Sequence, residues 1–341
     1  MRRANSRFQP SPRNDLPRRS SVSIDNCRDA GSWGSATIVP ETATTSYPDS
    51  LGSWTASLAR AVRPAQWLKN GVVFAGLVFG GKLLEPNAVA TAMLAALAFC
   101  LMSGGFYLIN DVRDRHADRL HPVKRLRPVA AGELEPRTAS AIGTMLVLSA
   151  IAASALIGWS LLLVFLAYAG LMSAYNLGVK EIVILDVFAI AAGFVLRAAG
   201  GAIAVQVSIS PWLLVCTMSL ALLIGFGKRR HELLALDNAW EHRRNLNVYD
   251  RPMLDQFVAV TAAGTLIAYA VYTFDSDSAQ YHQRMMLTIP IVAYGVFRYL
   301  FLLYRGGQGG APETMLLTDR PLLGSVAAWA VASAFLFYFA G

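Results

Sequence analysis

The chain reads as long apolar runs separated by short polar turns, a different pattern from the one-faced apolar stripe of a water-soluble helix or strand. Runs of the roughly 20 residues needed to cross the hydrocarbon of a bilayer lie near 66–84, 88–110, 138–157, 158–177, 182–205, 210–227, 255–274, 286–304 and 321–340. The pattern predicts an all-α fold, a polytopic membrane helix bundle of about nine transmembrane helices. The third and fourth runs are divided only around Gly158 and Trp159, and the first is the weakest. Residues 57–341 are expected to form this membrane domain. Residues 1–56, rich in Ser, Arg, Pro and Thr and without an apolar run, are expected to be a disordered cytoplasmic tail.

Composition agrees with a bilayer as solvent: 55% of the 341 residues are hydrophobic, 15% are charged, and the mean hydropathy is +0.42. The net charge of +8 does not point to nucleic acid, because the basic residues flank apolar runs and form no recognition motif. They mark orientation. Heavy loads follow the second run (Arg113, Arg115, Arg119, Lys124, Arg125, Arg127, Arg137) and the sixth (Lys228, Arg229, Arg230, Arg243, Arg244, Arg251), whereas the opposite connections carry only Lys82 and Arg284. Lys and Arg accumulate on the cytoplasmic side, so the reading places the N-terminus and the polar motifs there, in a bacterial inner membrane. Cys27, Cys100 and Cys216 form no CxxC pair and imply no disulfide or thiolate metal site.

The polar residues that carry chemistry gather at that same face. Asn110, Asp114 and Asp118 recur at i, i+4 and i+8 in a continuation of the second run, with Asp111 beside them. Carboxylates converging on one helical face repel each other unless a cation lies among them, and hard oxygen donors suit Mg²⁺, which completes its shell with water and substrate phosphates. A diphosphate is the expected guest. The following loop, His121 to Pro128, sets Lys124 and Arg127 close by as donors to phosphate oxygens. In the fifth run Asp186, Gly193 and Arg197 share one face, and an arginine at that depth is expected to face a cavity and to have a partner. Tyr107, one turn before Asn110, and Lys69, at the start of the first run, are placed to reach the same pocket. Lys228, Arg229, Arg230 and Glu232 are candidates for a second phosphate.

Through Asn110 to Asp118, which match the pattern NDxxDxxxD, the chain resembles the UbiA superfamily of intramembrane transferases over roughly residues 58–341. The stretches RPAQWLKN (63–70), NDVRDRHADRLHPVKRLRPVAAG (110–132), YNLGVKEIVILDVFAIAAGFVLRAAGG (175–201), GKRRHEL (227–233) and APETMLLTDRPLL (311–323) look like the branch that makes decaprenylphosphoryl-5-phosphoribose. Where the prenyl-to-aromatic branch reads RTxxRP, this chain has HPVKRLRP. The resemblance implies Mg²⁺-dependent transfer of 5-phosphoribose from phosphoribosyl pyrophosphate to a polyprenyl phosphate. Asn110, Asp114 and Asp118 would hold the metal, Asp111, Asp114 and Asp118 would be catalytic, and Lys69, Tyr107 and Lys124 would contact the donor. The superfamily's second DxxxD motif is not reproduced, since only Lys180, Glu181 and Asp186 stand there; Lys180 is therefore expected to bind phosphate directly. Asp319 and Arg320 match the family without an evident physical role. The product would supply arabinose for cell-wall glycans or, as with a related rhizobial nodulation protein, for Nod factors. Oligomeric state, including a homo-oligomer, is left open.

Two other readings share parts of this pattern. A prenyltransferase would use the same metal site but would need an apolar tunnel behind the diphosphate, whereas Lys69, Lys124, Lys180 and Arg197 suit a sugar carrying its own phosphate. A transporter would be expected to carry internal repeats and helices broken near the midplane, and no clear repeat is present.

Overall fold

The computed structural model describes residues 51–235, 248–275, 283–305 and 312–339. Most of the expected tail lies outside the described residues, but its last six belong to helix α1 (Leu51–Val62). A 3₁₀ segment, Pro64–Phe74, and the short α2 (Ala75–Phe79) follow. Then come α3 (Pro86–Arg113), α4 (Arg115–Leu120), α5 (Pro128–Ala131), α6 (Pro136–Ile157), α7 (Trp159–Leu177), α8 (Leu185–Ala204) and α9 (Pro211–Ala235). The set closes with α10 (Arg251–Asp275), α11 (Ile289–Arg305), α12 (Pro312–Thr318) and α13 (Arg320–Phe339). No strand occurs among the described residues. Prolines open the 3₁₀ segment, α3, α5 and α6 at the position where a missing N–H costs nothing.

Among the described residues seven helices are long and apolar enough to cross a membrane: α3, α6, α7, α8, α9, α10, and α11 taken with the turn ahead of it. This multi-pass helical architecture is the one predicted, but the count of nine is not reproduced. The last expected span is represented by a shorter apolar helix, Arg320–Leu336. The first is the 3₁₀ segment plus α2, and a 3₁₀ helix rises about 2.0 Å per residue against 1.5 Å for an α-helix. A 3₁₀ run as long as 11 residues is uncommon and needs outside support.

That support comes from α8. A Cβ built on Gly201 would stand 1.9 Å from the Val73 carbonyl oxygen, and one on Gly76 would stand 2.5 Å from Ala202 Cα. Backbone lies on backbone there. The α3–α6 pair uses the same device, with a Cβ on Gly105 falling 2.6 Å from the Gly143 carbonyl. In lipid, where apolar burial does not drive helices together, such close approach of small residues is a main source of association. The two largest apolar cores of the described residues lie around these contacts and beyond them. Phe99, Met102, Leu161 and Phe165 fill one between α3, α6 and α7, and Val187, Leu223, Leu254 and Leu303 fill the other between α8, α9, α10 and α11.

The polar end of α3 is not one continuous helix. It stops at Arg113, Asp114 adopts φ −86° and ψ 3°, and α4 restarts at Arg115. The i, i+4, i+8 relation of Asn110, Asp114 and Asp118 is therefore interrupted at its middle member.

Candidate active site

The break at Asp114 divides the acidic motif between two sets of partners. In the first, the Lys180 ammonium lies 2.7 and 2.8 Å from the two Asp114 carboxylate oxygens and 3.5 Å from Asn110 Oδ1. Lys180 reaches this point from a single 3₁₀ turn, Val179–Glu181, between α7 and α8. In the second, Asp111 Oδ1 accepts from Arg63 Nη2 at 2.5 Å and Arg127 Nη1 at 3.1 Å, while Arg127 Nη1 also lies 2.7 Å from Asp118 Oδ2. Asp111 is 1% exposed and its Oδ2 has no hydrogen-bond partner. Arg63 also stacks on the Tyr107 ring, 4.9 Å from its centroid.

The spacing argument placed Asn110, Asp114 and Asp118 on one metal ion. In the structure Asp118 turns to Arg127, and among the described residues no three His, Cys, Asp or Glu side chains stand close enough to share a metal. What remains is a narrower donor set. Three oxygens of Asn110 and Asp114 already converge on a cation, the Lys180 ammonium, so the position is built for positive charge. Two protein ligands with water and diphosphate oxygens suit Mg²⁺, which rarely takes an all-protein shell. The residues present therefore fit Mg²⁺ at Asn110 and Asp114.

Several other expected contacts have internal partners. Arg197, 6% exposed, donates from Nε to Asn70 Oδ1 at 2.6 Å, from Nη1 to the Gly193 carbonyl at 2.9 Å and from Nη2 to the Tyr168 hydroxyl at 2.7 Å. Asn70 in turn donates to Cys100 Sγ at 3.1 Å. Arg197 has the partners that its depth requires, yet it joins the 3₁₀ segment to α7 and α8 instead of lining a cavity. Asp186 and Arg229 are fully buried against each other, with Arg229 Nε 3.2 Å from Asp186 Oδ2 and Nη1 paired with Glu232. Arg230 is likewise turned inward, 2.5 Å from Asp255. A charge removed from water must find such partners.

Lys69, Lys124 and Lys228 are half-buried. Lys69 pairs with Gln66 and Lys124 begins the turn after α4, its backbone N–H held 3.2 Å from His121 Nδ1. Reading along the chain missed Arg63, Asn70 and Tyr168, whose partners lie 48, 127 and 29 residues away. It also left Asp319 without a role. Both oxygens of that carboxylate pair with Arg298, at 3.1 and 2.7 Å, and Oδ1 takes the Leu322 N–H at 2.8 Å, so Asp319 caps α13 and ties it to α11. The guanidinium holds its carboxyl below the usual carboxylate range.

Residues 71–227 match the model of the UbiA prenyltransferase family. The chain is 32% identical over 290 residues to the decaprenyl-phosphate phosphoribosyltransferase of Mycolicibacterium smegmatis, covering 80% of this chain and 89% of that one. It is 27% identical over 286 residues to the nodulation protein NoeC of Azorhizobium caulinodans, covering 82% and 92%. Its fold superposes on a UbiA homolog from Archaeoglobus fulgidus bound to GPP and Mg²⁺ with a TM-score of 0.67 at 19% identity, over 83% of this chain and 99% of that one. Helix architecture, acidic end of α3 and relatives agree: the chain belongs to the UbiA prenyltransferase family and is a multi-pass membrane transferase.

Proposed function

We propose that this protein transfers 5-phosphoribose from phosphoribosyl pyrophosphate to a polyprenyl phosphate, with Mg²⁺ as cofactor. The observation that carries the proposal is the charge balance at the end of α3: Arg63, Arg127 and Lys180 stand within ion-pair distance of Asp111, Asp114 and Asp118, one cation for each carboxylate before any metal is counted. With Lys69 and Lys124 on neighbouring segments, this excess of cations suits a donor that carries a pyrophosphate and a separate 5-phosphate. Similarity to the mycobacterial phosphoribosyltransferase over most of both chains supports the same reading.

In the proposed reaction an acceptor phosphate oxygen bonds to ribose C1 as the C1–oxygen bond to pyrophosphate breaks. The bonding electrons leave with pyrophosphate, so neutralising the departing charge is the main task of the site. Asn110 and Asp114 would hold Mg²⁺, which supplies that neutralisation when bound. Lys180 is freed from Asp114 to meet a phosphate oxygen, and Asp111 keeps Arg63 and Arg127 side by side. The acceptor phosphate is ionised near neutral pH, so no side chain has to take a proton. The site is assigned to the cytoplasmic face of a bacterial inner membrane, with the N-terminus on the same side, on the distribution of Lys and Arg. The product would be a lipid-linked precursor for arabinosylated glycans or Nod factors.

The test is transfer of label from phosphoribosyl pyrophosphate into the lipid phase by purified protein with decaprenyl phosphate and Mg²⁺. Transfer that requires Mg²⁺ and is lost in Asp114→Ala is expected. No transfer, together with consumption of a labelled prenyl diphosphate and an aromatic acceptor, would replace the proposal with the prenyltransferase reading.

A further inference from the structure

The turn that carries Lys180 to α3 ends in an unusual backbone. Ile184, the residue before α8, has φ 69° and ψ −48°, and Leu185 N–H reaches back to the Val183 carbonyl at 2.8 Å. This is a γ-turn of the rare positive-φ kind. A β-branched residue pays heavily for such a conformation, and it persists only where its surroundings over-determine it. The restraint comes from 65 residues further along the chain: Ile184 N–H donates to the Tyr249 hydroxyl at 2.6 Å. The same hydroxyl lies 3.4 Å from Asp186 Oδ1, whose other oxygen faces Arg229. Tyr249 is 4% exposed, and its ring packs in the core between α8, α9 and α10.

We propose that Tyr249 is a positioning residue, whose hydroxyl holds the Ile184 γ-turn and thereby sets the reach of Lys180 to the Asn110 and Asp114 end of α3. Val179–Glu181 connects to that turn through a single residue, Ile182, so a shift of the turn is passed on to Lys180 with little slack. Phosphate binding at α3 thus depends on the segment that opens α10, with no contact between Tyr249 and the ligand. The proposal rests on Lys180 acting as a phosphate contact, as in the function proposed above, but not on the identity of the donor.

The experiment measures Mg²⁺-pyrophosphate binding by calorimetry to the full chain in detergent, for wild type, Tyr249→Phe, Lys180→Met and the double variant. Pyrophosphate is the leaving group whether the donor is a sugar or a prenyl diphosphate. Phe keeps the ring and removes only the hydroxyl, so affinity is expected to fall about fivefold to tenfold. The double variant is expected to bind as Lys180→Met does, because the hydroxyl has no other route to the ligand. Adding Ile184→Gly to Tyr249→Phe is expected to restore part of the affinity, since glycine adopts positive φ without strain. Wild-type affinity in Tyr249→Phe, or losses that multiply in the double variant, overturns the proposal, as does a wild-type protein that binds no pyrophosphate. Coupled losses in a protein that transfers no phosphoribose would refute the donor and leave the role of Tyr249 standing.

Discussion

Replacing Gly201 with alanine tests the placement of the 3₁₀ segment, and through it the geometry of the site. The new Cβ would stand 1.9 Å from the Val73 oxygen and 2.7 Å from the Val73 carbonyl carbon. Ordinary contact is near 3.5 Å, so the segment has to retreat by roughly 1.5 Å. The obstacle is backbone, which cannot rotate aside like a side chain, and overpacking of this kind costs about 3 kcal/mol. Asn70 lies one 3₁₀ turn before Val73, and its 2.6 Å bond from Arg197 does not survive a displacement of that size. A buried hydrogen bond to a charged group is worth about 1.5–3 kcal/mol, which brings the expected loss to about 4.5–6 kcal/mol. The assay is reversible unfolding of the purified protein by SDS in mixed micelles, followed by circular dichroism. Gly170→Ala in α7 is the control, because a Cβ there meets nothing within 4 Å; it should be neutral or more stable by up to about 1 kcal/mol from helix propensity. Gly201→Ala unfolding within 0.5 kcal/mol of wild type, on the order of the assay's resolving power, would refute the backbone contact between Val73 and α8.

Three further outcomes are expected. Arg197→Met should unfold at lower SDS, by about 1–3 kcal/mol, because Asn70 and Tyr168 lose their buried partner, while the donor KM in the folded fraction stays within about twofold, an on-the-order tolerance for a residue outside the ligand shell; wild-type stability with a raised KM would show that Arg197 touches substrate after all. Asp114→Asn should lower the transfer rate by about 10²–10³ and Asp118→Asn far less, and equal losses at both would restore the three-ligand metal site read from the spacing. Asp319 pairs with Arg298, so its folded pKa lies below the unfolded value. Its contribution is present above the unfolded pKa and disappears as pH falls through the folded one. The stability difference between wild type and Asp319→Asn should therefore be constant from pH 7 to about 5, begin to fall only below about 4, and disappear as pH drops through the lowered folded pKa; a difference that grows on acidification would contradict the pairing.

The long apolar runs alone determined that this chain is a bundle of membrane helices, because in hydrocarbon every backbone polar group must be satisfied within its own segment. Residue types and spacing along one helix located the acidic end of α3, because contacts three, four or seven residues apart are local. The limit of that reasoning is visible at Asp114, where a single non-helical residue redirects Asp118 to Arg127 and divides a motif that spacing alone unites. Local pattern is equally blind to the 3₁₀ form of the first run, which is held by the backbone of α8 and by no propensity of its own. Arg197, Asp186 and Arg229 read as ligand contacts because a buried charge needs a partner, and only the tertiary structure decides whether that partner is a substrate or another part of the protein. Here Asn70, Tyr168 and Tyr249 fill that role from distant positions in the chain, and Glu232 from one turn along the same helix. The physical reason is general: desolvation forces the pairing, while the path of the chain selects which groups are near enough to satisfy it.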